Sequence, residues 1–442
     1  MSLRDRVDSA GAWLVLGALG LVVTLNVDTL GTEPWPFRPG AVRPHGVLGP
    51  LVRAADRHWD PSLLRSVAMV AGIGVLALAV LLALGRSLPA WLLLGACVAV
   101  SLMLVAPGVT LQAGLRQSTA QWFYTNDSTY QIELAGDAVR HAHDPYGRNY
   151  AHTGLQRFYS LDGSAPPGTV ANHVALRHFA YFPGTALLAA AWGVLPRPWD
   201  DVRFLVALAT LGLFGAALAF PGPLMVRAAL GVAAAANPIA VRATWFGTAD
   251  APAVLLLLLA FAAAARRRPV LAGALIAGAV LVKQFALAGV PFLAALIIVQ
   301  LGRDALRKAA YAAAAVAVVG FVPFVAADPA AFWRDTISYG SGTYRIVGYG
   351  LSALLVKAHV LHDRRSGYPF LPLVVLVWVP VTALLVRAQL RERAAWLAGA
   401  GFAVSVFLLL FLGRVFQISY LIWPLEALVL AALLLYPERR PT

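Results

Sequence analysis

Long apolar segments alternate with short polar stretches along almost the whole chain. Two of them, residues 251–265 and 395–412, are apolar around nearly the full helical circumference, as helices are when they face lipid or other buried helices. A transmembrane helix needs roughly 20 apolar residues. The pattern therefore predicts membrane segments at residues 11–28, 64–84, 88–107, 180–195, 203–220, 223–241, 250–265, 269–283, 285–301, 309–326, 369–386, 394–412 and 417–436. We expect an all-α fold, a polytopic transmembrane helical bundle of about 11 to 13 membrane segments, some half-spanning, in which residues 1–442 form a single integral membrane domain.

The composition supports a membrane protein and argues against other classes. Hydrophobic residues make up 60% of the chain and charged residues 13%, whereas a soluble domain is about 45 to 50% apolar and about 25% charged. The net charge of +14 lies in short Arg clusters between apolar segments, so it indicates topology and no nucleic-acid partner. The single cysteine, Cys97, excludes a disulfide and a thiolate metal site.

The basic clusters predict which loops face the cytoplasm, because such loops are enriched in Lys and Arg. They are Arg4/Arg6, Arg86, Arg197/Arg203, Arg266/Arg267/Arg268, Arg303/Arg307/Lys308, Arg387/Arg391/Arg393 and Arg439/Arg440. This pattern places both termini inside and predicts a multi-pass protein of the inner or plasma membrane. Strict alternation fails between Arg203 and Asp250, so we expect one segment there, or the one beginning near Tyr181, to enter the bilayer only halfway.

Two polar segments on the predicted outer side, residues 108–179 and 327–368, are where chemistry would have to occur. Loops longer than about 15 residues are uncommon unless they are functional or disordered, and the first segment is rich in Trp and Tyr, unlike a disordered linker. We therefore expect residues 108–179 to form an extracytoplasmic catalytic loop.

The first outer segment contains the pattern of a short amphipathic helix. Its positions Tyr130, Leu134, Asp137 and His141 recur at intervals of three or four residues. A cap at Asp127 or Ser128 begins the helix, which ends before Pro145 and is expected to lie along the membrane surface. This arrangement places a carboxylate at the start of a surface helix, where it can meet a substrate headgroup.

The same segment resembles a known family. The pattern Asp127-x-x-Tyr130, followed by a surface helix and Asp144-Pro145-Tyr146-Gly147, is similar to the first extracytoplasmic loop of the GT-C superfamily of glycosyltransferases. The likeness is closest to the bacterial PimE-like mannosyltransferases of the glycosyltransferase family 87 type. It covers roughly residues 121–291, and the family loop usually follows the first helix, whereas two extra helices precede it here. Further agreement comes from His178-Phe-Ala-Tyr181-Phe-Pro183, Asn237-Pro238, Gly247-x-x-Asp250 and Lys283-Gln284.

The resemblance implies transfer of a sugar, mannose or a pentose, from a polyprenyl-phosphate donor to a lipid-linked or cell-envelope glycan acceptor. Such a transfer needs a base near the acceptor hydroxyl and cationic or hydrogen-bonding groups on the departing phosphate. Asp127 matches the catalytic acidic position of the family, which implies a general base and inversion at the anomeric carbon. The alternative is that Asp127 only caps a helix.

Several other residues are candidates for substrate binding. Lys283 lies between apolar segments, where a charge is expensive and indicates a functional site; it would neutralise the lipid phosphate, or else pair with a buried carboxylate. Arg345 and Arg414 are similar candidates, with interfacial anchoring as their alternative role. The remaining candidates for contacts with the substrate are His178, Tyr130, Tyr181 and Gln284.

The sequence gives only a weak signal for a metal. Asp137 and Asp144 flank His141-x-His143, but two helical positions two residues apart face different sides. We therefore predict that the protein needs no cofactor and no metal, with a divalent cation as the alternative. Two acids in apolar segments have no single predicted role. Asp250 would shape the pocket with Arg242 or pair with it, and no partner is evident for Glu426.

Two hypotheses of other classes remain. A lipid-linked-sugar transporter or flippase would also use half-helices and intramembrane charges, although such proteins usually show two related halves. A non-catalytic membrane protein of envelope assembly would use the outer segments to bind a protein. In every case membrane lipids are partners.

Overall fold

The computed structural model describes residues 5–31, 45–58, 60–85, 87–118, 125–160 and 174–438. Helices account for nearly all regular structure in this part of the chain, and four two-residue strands form two small ladders. The predicted all-α class is therefore confirmed.

The helices follow in chain order. In the first half they are α1 (Ser9–Leu25), α2 (Val27–Gly31), α3 (Gly49–His58), α4 (Pro61–Ala83), α5 (Ala90–Ser118), α6 (Asp127–Arg140), α7 (Arg157–Ser160), α8 (Pro183–Trp192), α9 (Val202–Leu218), α10 (Leu224–Ala236) and α11 (Pro238–Phe246). In the second half they are α12 (Asp250–Ala265), α13 (Pro269–Val282), α14 (Val290–Leu301), α15 (Arg303–Ala327), α16 (Pro329–Trp333), α17 (Leu351–Lys357), α18 (Phe370–Leu373), α19 (Val379–Glu392), α20 (Trp396–Leu412) and α21 (Ile422–Glu438).

Short irregular elements join some of them. Single 3₁₀ turns cover Val174–Arg177, Gln284–Gly289 and Ile418–Leu421, and π-helical turns cover Arg334–Thr343 and Val374–Trp378. The strands are β1 (Arg6–Val7), β2 (Leu88–Pro89), β3 (Val347–Gly348) and β4 (Val415–Phe416). β1 pairs with β2 in antiparallel orientation, and β3 pairs with β4 in parallel orientation.

The described residues contain apolar helices of two lengths. Six are long and apolar enough to cross a bilayer, and α10 with α11 makes a seventh, bent by 42°. Five shorter apolar helices of 14 to 17 residues, α1, α9, α12, α13 and α20, reach about 21 to 26 Å at 1.5 Å per residue. Neighbouring elements extend several of them; Lys283 and the 3₁₀ turn after it, for example, follow α13.

The helix α8 resolves the conflict in the predicted topology. Its ten residues span about 15 Å, half of a hydrocarbon core of about 30 Å. It lies along α6: a Cβ on Gly136 would come within 2.7 Å of the Ala189 backbone, and Arg140 donates to the carbonyl of Gly193. The second half of α8 therefore lies beside α6, and its ten residues are too few for the predicted segment at 180–195 to cross the bundle.

The predicted placement of Arg197 and Arg203 with the inner clusters is accordingly wrong. A Cβ on Gly247, at the end of α11, would meet both the Arg203 side chain at 2.6 Å and the Thr129 hydroxyl oxygen at 2.7 Å. Arg203 is fully buried there and donates to Asp201 at 2.6 Å. Arg203 thus lies at the same end of the bundle as α6. The buried carboxylate of Asp201 neutralises its charge there.

A buried charge network joins the first outer segment to the bundle. Arg116, near the end of α5, donates to Glu133 of α6 at 2.5 Å and to Asp201 at 3.0 Å. Breaking one member of such a network leaves an uncompensated buried charge. The network therefore fixes α6 against the ends of α5 and α9.

The remaining described basic clusters lie at the opposite end. Arg266 follows α12 and donates to the carbonyl of Ala219, just after α9, while Arg303 begins α15 and Arg391 ends α19. Arg4, Arg86, Arg439 and Arg440 lie outside the described residues. The end that carries α6 and the end that carries the Arg clusters are thus separated by the length of the bundle.

The end of α5 and the cap of α6 differ from the predictions. α5 continues to Ser118, so residues 108–118 extend a membrane helix although the sequence assigned them to the outer loop. α6 has the predicted extent, but its cap is Asn126, whose side-chain oxygen accepts from the Ser128 backbone N–H at 2.8 Å. Asp127 is left as the first helical residue, with its carboxylate available for other contacts.

Small residues allow the helices to pack closely. A Cβ on Gly273 would lie 2.0 Å from the Ala309 carbonyl oxygen, so only glycine permits this approach of α13 to α15. Close contact of this kind is how membrane helices gain van der Waals energy when lipid is as apolar as the side chains.

Candidate active site

Asp127 begins α6 at the end of the bundle opposite the Arg clusters. Its side chain is half-buried, and one carboxylate oxygen accepts from the Tyr159 hydroxyl at 3.3 Å. The other accepts from the Ser128 backbone N–H at 2.7 Å. A carboxylate at a helix N-terminus is stabilised by the unpaired N–H groups of the first turn, so Asp127 is held in one orientation.

Protonated phenols surround this carboxylate on one side. Burial raises the pKa of Tyr159, and the neighbouring Asp127 raises it further. Burial and Asp127 likewise raise the pKa of Tyr344, and burial is the main cause of the raised pKa of Tyr339. All three phenols therefore stay protonated and remain hydrogen-bond donors over the whole neutral range.

His178 connects this group to the second outer segment. Its Nδ1 lies 2.8 Å from a carboxylate oxygen of Asp335, and its ring stacks on Tyr339 with centroids 4.5 Å apart. Asp335 is fully buried and also accepts from the Gly147 backbone N–H at 2.8 Å. Asp335 thus fixes both the Asp144–Gly147 motif and His178, a role that no local sequence pattern indicated.

Lys283 is paired with a buried carboxylate, the alternative role considered for it above. Its ammonium lies 3.6 Å from Asp250, whose same oxygen accepts from the Trp423 indole N–H at 2.8 Å. The ammonium also lies over the Tyr181 ring, 4.8 Å from its centroid. Tyr181 interacts electrostatically with both Asp127 and Asp250, so the ion pair and the carboxylate of Asp127 lie near the same phenol.

A cavity of about 510 Å³ lies on the other side of the start of α6. Asn126, the residue before Asp127, contributes to its wall, together with Arg242 of α11, Lys357 of α17 and Arg364. Among the described residues, the lining includes these three basic side chains and no acidic one. Ile239, Phe246, Ile418 and Tyr349 add apolar and aromatic surface. The cavity thus suits an anionic group attached to an apolar chain.

The other predicted binding residues lie near this site in different roles. Arg345 is exposed and hydrogen-bonds the side chain of Tyr344. Arg414 is buried; its Nε donates to the Tyr344 carbonyl at 2.8 Å and its terminal nitrogens donate to the Ser366 carbonyl at 3.3 Å. The guanidinium of Arg414 therefore holds the second outer segment in place. Lys283, Arg345 and Arg414 do not line the cavity.

Tyr130 and Gln284 bind backbone carbonyls. The Tyr130 hydroxyl donates to Thr153 at 3.0 Å, and its ring is buried against Phe158. The Gln284 amide donates to the carbonyl of Ala180 at 3.5 Å, beside Tyr181. Both side chains position the segments that carry Asp127 and Tyr181.

Sequence reasoning missed the cations of the cavity as a set. Arg242 was considered only together with Asp250, as a residue that shapes the pocket or pairs with that acid, and Lys357 and Arg364 were not singled out. The three lie on α11, on α17 and after α17, so no local spacing joins them. Among the described residues, no group of three His, Cys, Asp or Glu side chains is placed to hold a metal ion.

Comparison with known proteins identifies the class. The model of glycosyltransferase family 87 matches residues 179–413, more than half of the chain. This match confirms the resemblance and favours the enzymatic hypothesis over the transporter and the non-catalytic partner. No curated protein and no solved structure matches the chain. The match covers Arg242, Lys357, Arg364 and the second outer segment, with Asp127 before it. The chain is a multi-pass membrane protein that belongs to glycosyltransferase family 87.

Proposed function

We propose that this membrane glycosyltransferase moves a sugar, mannose or a pentose, from a polyprenyl-phosphate donor to a lipid-linked or cell-envelope glycan, with Asp127 as the general base. The observation that carries this proposal is a cavity lined by three basic side chains beside a carboxylate at a helix N-terminus. The two parts supply the two groups that the reaction needs, a base and a cationic site for the departing phosphate.

The donor phosphate binds among Arg242, Lys357 and Arg364. Charge-assisted hydrogen bonds from guanidinium and ammonium groups are the strong ones for phosphate oxygens. The apolar wall formed by Ile239, Phe246 and Ile418 receives the first prenyl units of the donor.

Asp127 acts on the acceptor. Its carboxylate takes the proton of the acceptor hydroxyl as that oxygen bonds to the anomeric carbon of the sugar. The bond from this carbon to the phosphate oxygen breaks, and its electron pair leaves with the phosphate. A single direct displacement inverts the anomeric centre. Tyr159, which donates to Asp127, orients the carboxylate for this transfer.

The ion pair of Lys283 and Asp250 supports the same centre. It holds Tyr181 between itself and Asp127, so the Tyr181 phenol can contact the transferring sugar. Arg345 lies at the exposed edge of the phenol group and His178 behind it, where they contact the headgroups of the substrates. Arg414, Tyr130 and Gln284 act by positioning the segments around them.

The charge distribution supports an extracytoplasmic site. The clusters around Arg266, Arg303 and Arg391 lie at the end of the bundle away from Asp127. Since cytoplasmic loops are enriched in Lys and Arg, that end faces the cytoplasm and Asp127 faces outward. The corresponding location is the inner or plasma membrane.

The experiment is transfer by the purified protein in liposomes, with radiolabelled polyprenyl-phosphate mannose or pentose and an acceptor membrane fraction. Loss of a general base costs roughly 10²- to 10⁴-fold, so Asp127→Asn should lower kcat by at least about 10²-fold while thermal stability is kept. The matched control is Asp137→Asn, which removes an exposed carboxylate from the same helix. Normal turnover by Asp127→Asn, or an equal loss in Asp137→Asn, would contradict the proposal.

A further inference from the structure

The break between α10 and α11 is built around one side chain. α10 ends at Ala236, α11 begins at Pro238, and the two axes differ by 42°. The Asn237 amide nitrogen donates to the carbonyls of Ala233 at 3.1 Å and Ala234 at 2.8 Å, and its oxygen accepts from the Ala240 backbone N–H at 2.9 Å. Asn237 thus caps both helices, as the interior of a membrane requires for freed backbone groups.

A second amide, that of Asn26 just after α1, also hydrogen-bonds to this break. Asn26 is fully buried and its amide nitrogen donates to the Ala236 carbonyl at 2.7 Å. Its oxygen accepts from the Thr29 hydroxyl at 2.8 Å. The carbonyl groups of Ala233, Ala234 and Ala236 therefore have donors without any contribution from α21.

Glu426 of α21 nevertheless points at this break. It is 1% exposed, and one carboxyl oxygen accepts from the Asn237 amide nitrogen at 3.3 Å. The other oxygen is buried and has no hydrogen-bond partner among the described residues. An acidic side chain inside a membrane is expensive and is by default a mark of function. Since these three freed carbonyls already have donors from Asn237 and Asn26, capping alone does not account for the acid.

The helix that follows the break forms the wall of the cavity. Ile239, Arg242, Ala243 and Phe246 of α11 all line it. The end of α11 also binds α6, because the Thr129 hydroxyl donates to the carbonyls of Phe246 and, at 3.1 Å, of Gly247. The direction of α11 therefore sets both the place of Arg242 in the cavity and the distance from the cavity to Asp127.

We propose that Glu426 is a positioning residue for the donor site: by accepting from Asn237 it fixes the bend of α11 and so the position of Arg242. The inference rests on the proposed function for the identity of the ligand, a lipid phosphate, but the movement of α11 can be measured without any substrate. Glu426 contacts neither cavity nor reacting atoms and acts only through α11.

The first test measures kinetics of transfer in liposomes. Glu426→Leu removes the acceptor, and we expect the KM for the polyprenyl-phosphate sugar to rise about tenfold. Glu426→Asp withdraws the acceptor by one methylene, and we expect a rise of about threefold. In both variants kcat should change less than twofold. Glu426→Gln keeps an acceptor oxygen and should restore the wild-type KM. The control is Gln389→Leu, which removes another buried membrane side chain that binds a backbone carbonyl and has an unpartnered oxygen; its KM should not change.

The second test reports α11 itself. In a Cys97→Ala background, Ile239→Cys places the only thiol at a half-buried position on the cavity wall, and its rate of reaction with a water-soluble maleimide reports the position of α11. Glu426→Leu and Glu426→Asp should change this rate at least threefold, whereas Glu426→Gln and Gln389→Leu should not. If Glu426→Leu does not fold, Glu426→Asp decides alone.

A double-variant cycle locates the effect. If Glu426 acts through Arg242, Glu426→Asp should raise KM much less in an Arg242→Gln background than in the wild type, since coupled residues are not additive. An unchanged labelling rate and full additivity in KM would overturn the proposal. If labelling changes while the wild type transfers no sugar from a polyprenyl phosphate, the proposed donor is wrong and the positioning role of Glu426 stands.

Discussion

Two basic regions lie on either side of Asp127, and they differ in what surrounds each charge. Lys283 is buried, and its ammonium lies 3.6 Å from Asp250 and over the face of the Tyr181 ring. Arg242, Lys357 and Arg364 are exposed on the wall of a cavity of about 510 Å³, and no carboxylate in the described part of the chain lines it. A charge that is neutralised inside the protein stabilises structure, whereas charges that face a cavity can meet a charged substrate.

The difference has a simple physical origin. An ion pair in a low-dielectric interior repays its desolvation only while both partners are present. Cations that face water pay little desolvation, so they gain most of their interaction energy when an anion arrives. Lys283 should therefore matter most for stability, and the cavity cations for binding of the donor.

The largest effect is expected from breaking the buried pair. Asp250→Asn leaves the Lys283 ammonium uncompensated and removes a charged acceptor from Trp423, so we predict a loss of about 3 to 5 kcal/mol of stability. Denaturant titration in mild detergent, followed by Trp fluorescence, measures it. The double variant Asp250→Asn/Lys283→Met should recover part of the loss. A single variant as stable as the wild type would show that Lys283 does not depend on Asp250.

The cavity cations should show the opposite behaviour. Arg242→Gln or Lys357→Gln each removes one charge–phosphate contact, and we predict a rise in the donor KM of about tenfold, or about 1.4 kcal/mol. Stability should change by less than about 0.5 kcal/mol, since both side chains are exposed. The matched control is Lys308→Gln, an exposed lysine at the opposite end of the bundle. Equal effects of Lys308→Gln and Lys357→Gln would exclude a specific phosphate site.

The sequence predicted the bundle better than the site, and the same contrast explains why. Each apolar segment carries its own signal, and so does the start of α6, which the sequence placed at Asp127 or Ser128 although the cap is Asn126. Arg242, Lys357 and Arg364 meet only because α11 bends at Asn237 and the segment after α17 folds back over it. The surface course of α8 and the burial of Arg203 beside Asp201 likewise depend on partners far away in the chain.

A smaller effect on kcat is expected from Tyr159, one of the phenols beside Asp127. Tyr159→Phe removes the hydroxyl that donates to Asp127, and we predict a five- to tenfold loss in kcat, roughly 1 kcal/mol, as for one hydrogen bond. Because burial raises the pKa of Tyr159, the phenol stays protonated and the ratio of wild type to variant should be the same at pH 7 and pH 9.5. Tyr311→Phe, at an exposed position on α15, is the control. A ratio that falls towards one at pH 9.5 would show that the phenol ionises there.

The smallest effect tests how the two outer segments repel one another. Burial raises the pKa of Asp144, and the nearby carboxylates of Asp328 and Asp335 raise it further. A carboxyl whose pKa is raised by folding stabilises the protein fully only below its ordinary pKa of about 3.9, and this contribution is lost as pH rises through the folded pKa. Asp144→Asn keeps an acceptor for the Tyr146 backbone N–H and removes the charge.

The variant should therefore be slightly more stable than the wild type at pH 7.5, by about 0.5 kcal/mol or about 1 °C in melting temperature, and equal to it near pH 4. Asp363 gives the opposite sign, because hydrogen bonds from the Arg365 backbone and the Ser366 side chain lower its pKa. Asp363→Asn should lower the melting temperature at pH 7.5, and the difference should shrink as the pH falls. If both variants shifted the melting temperature in the same direction at pH 7.5, the carboxylates of the outer segments would not be responding to their local surroundings.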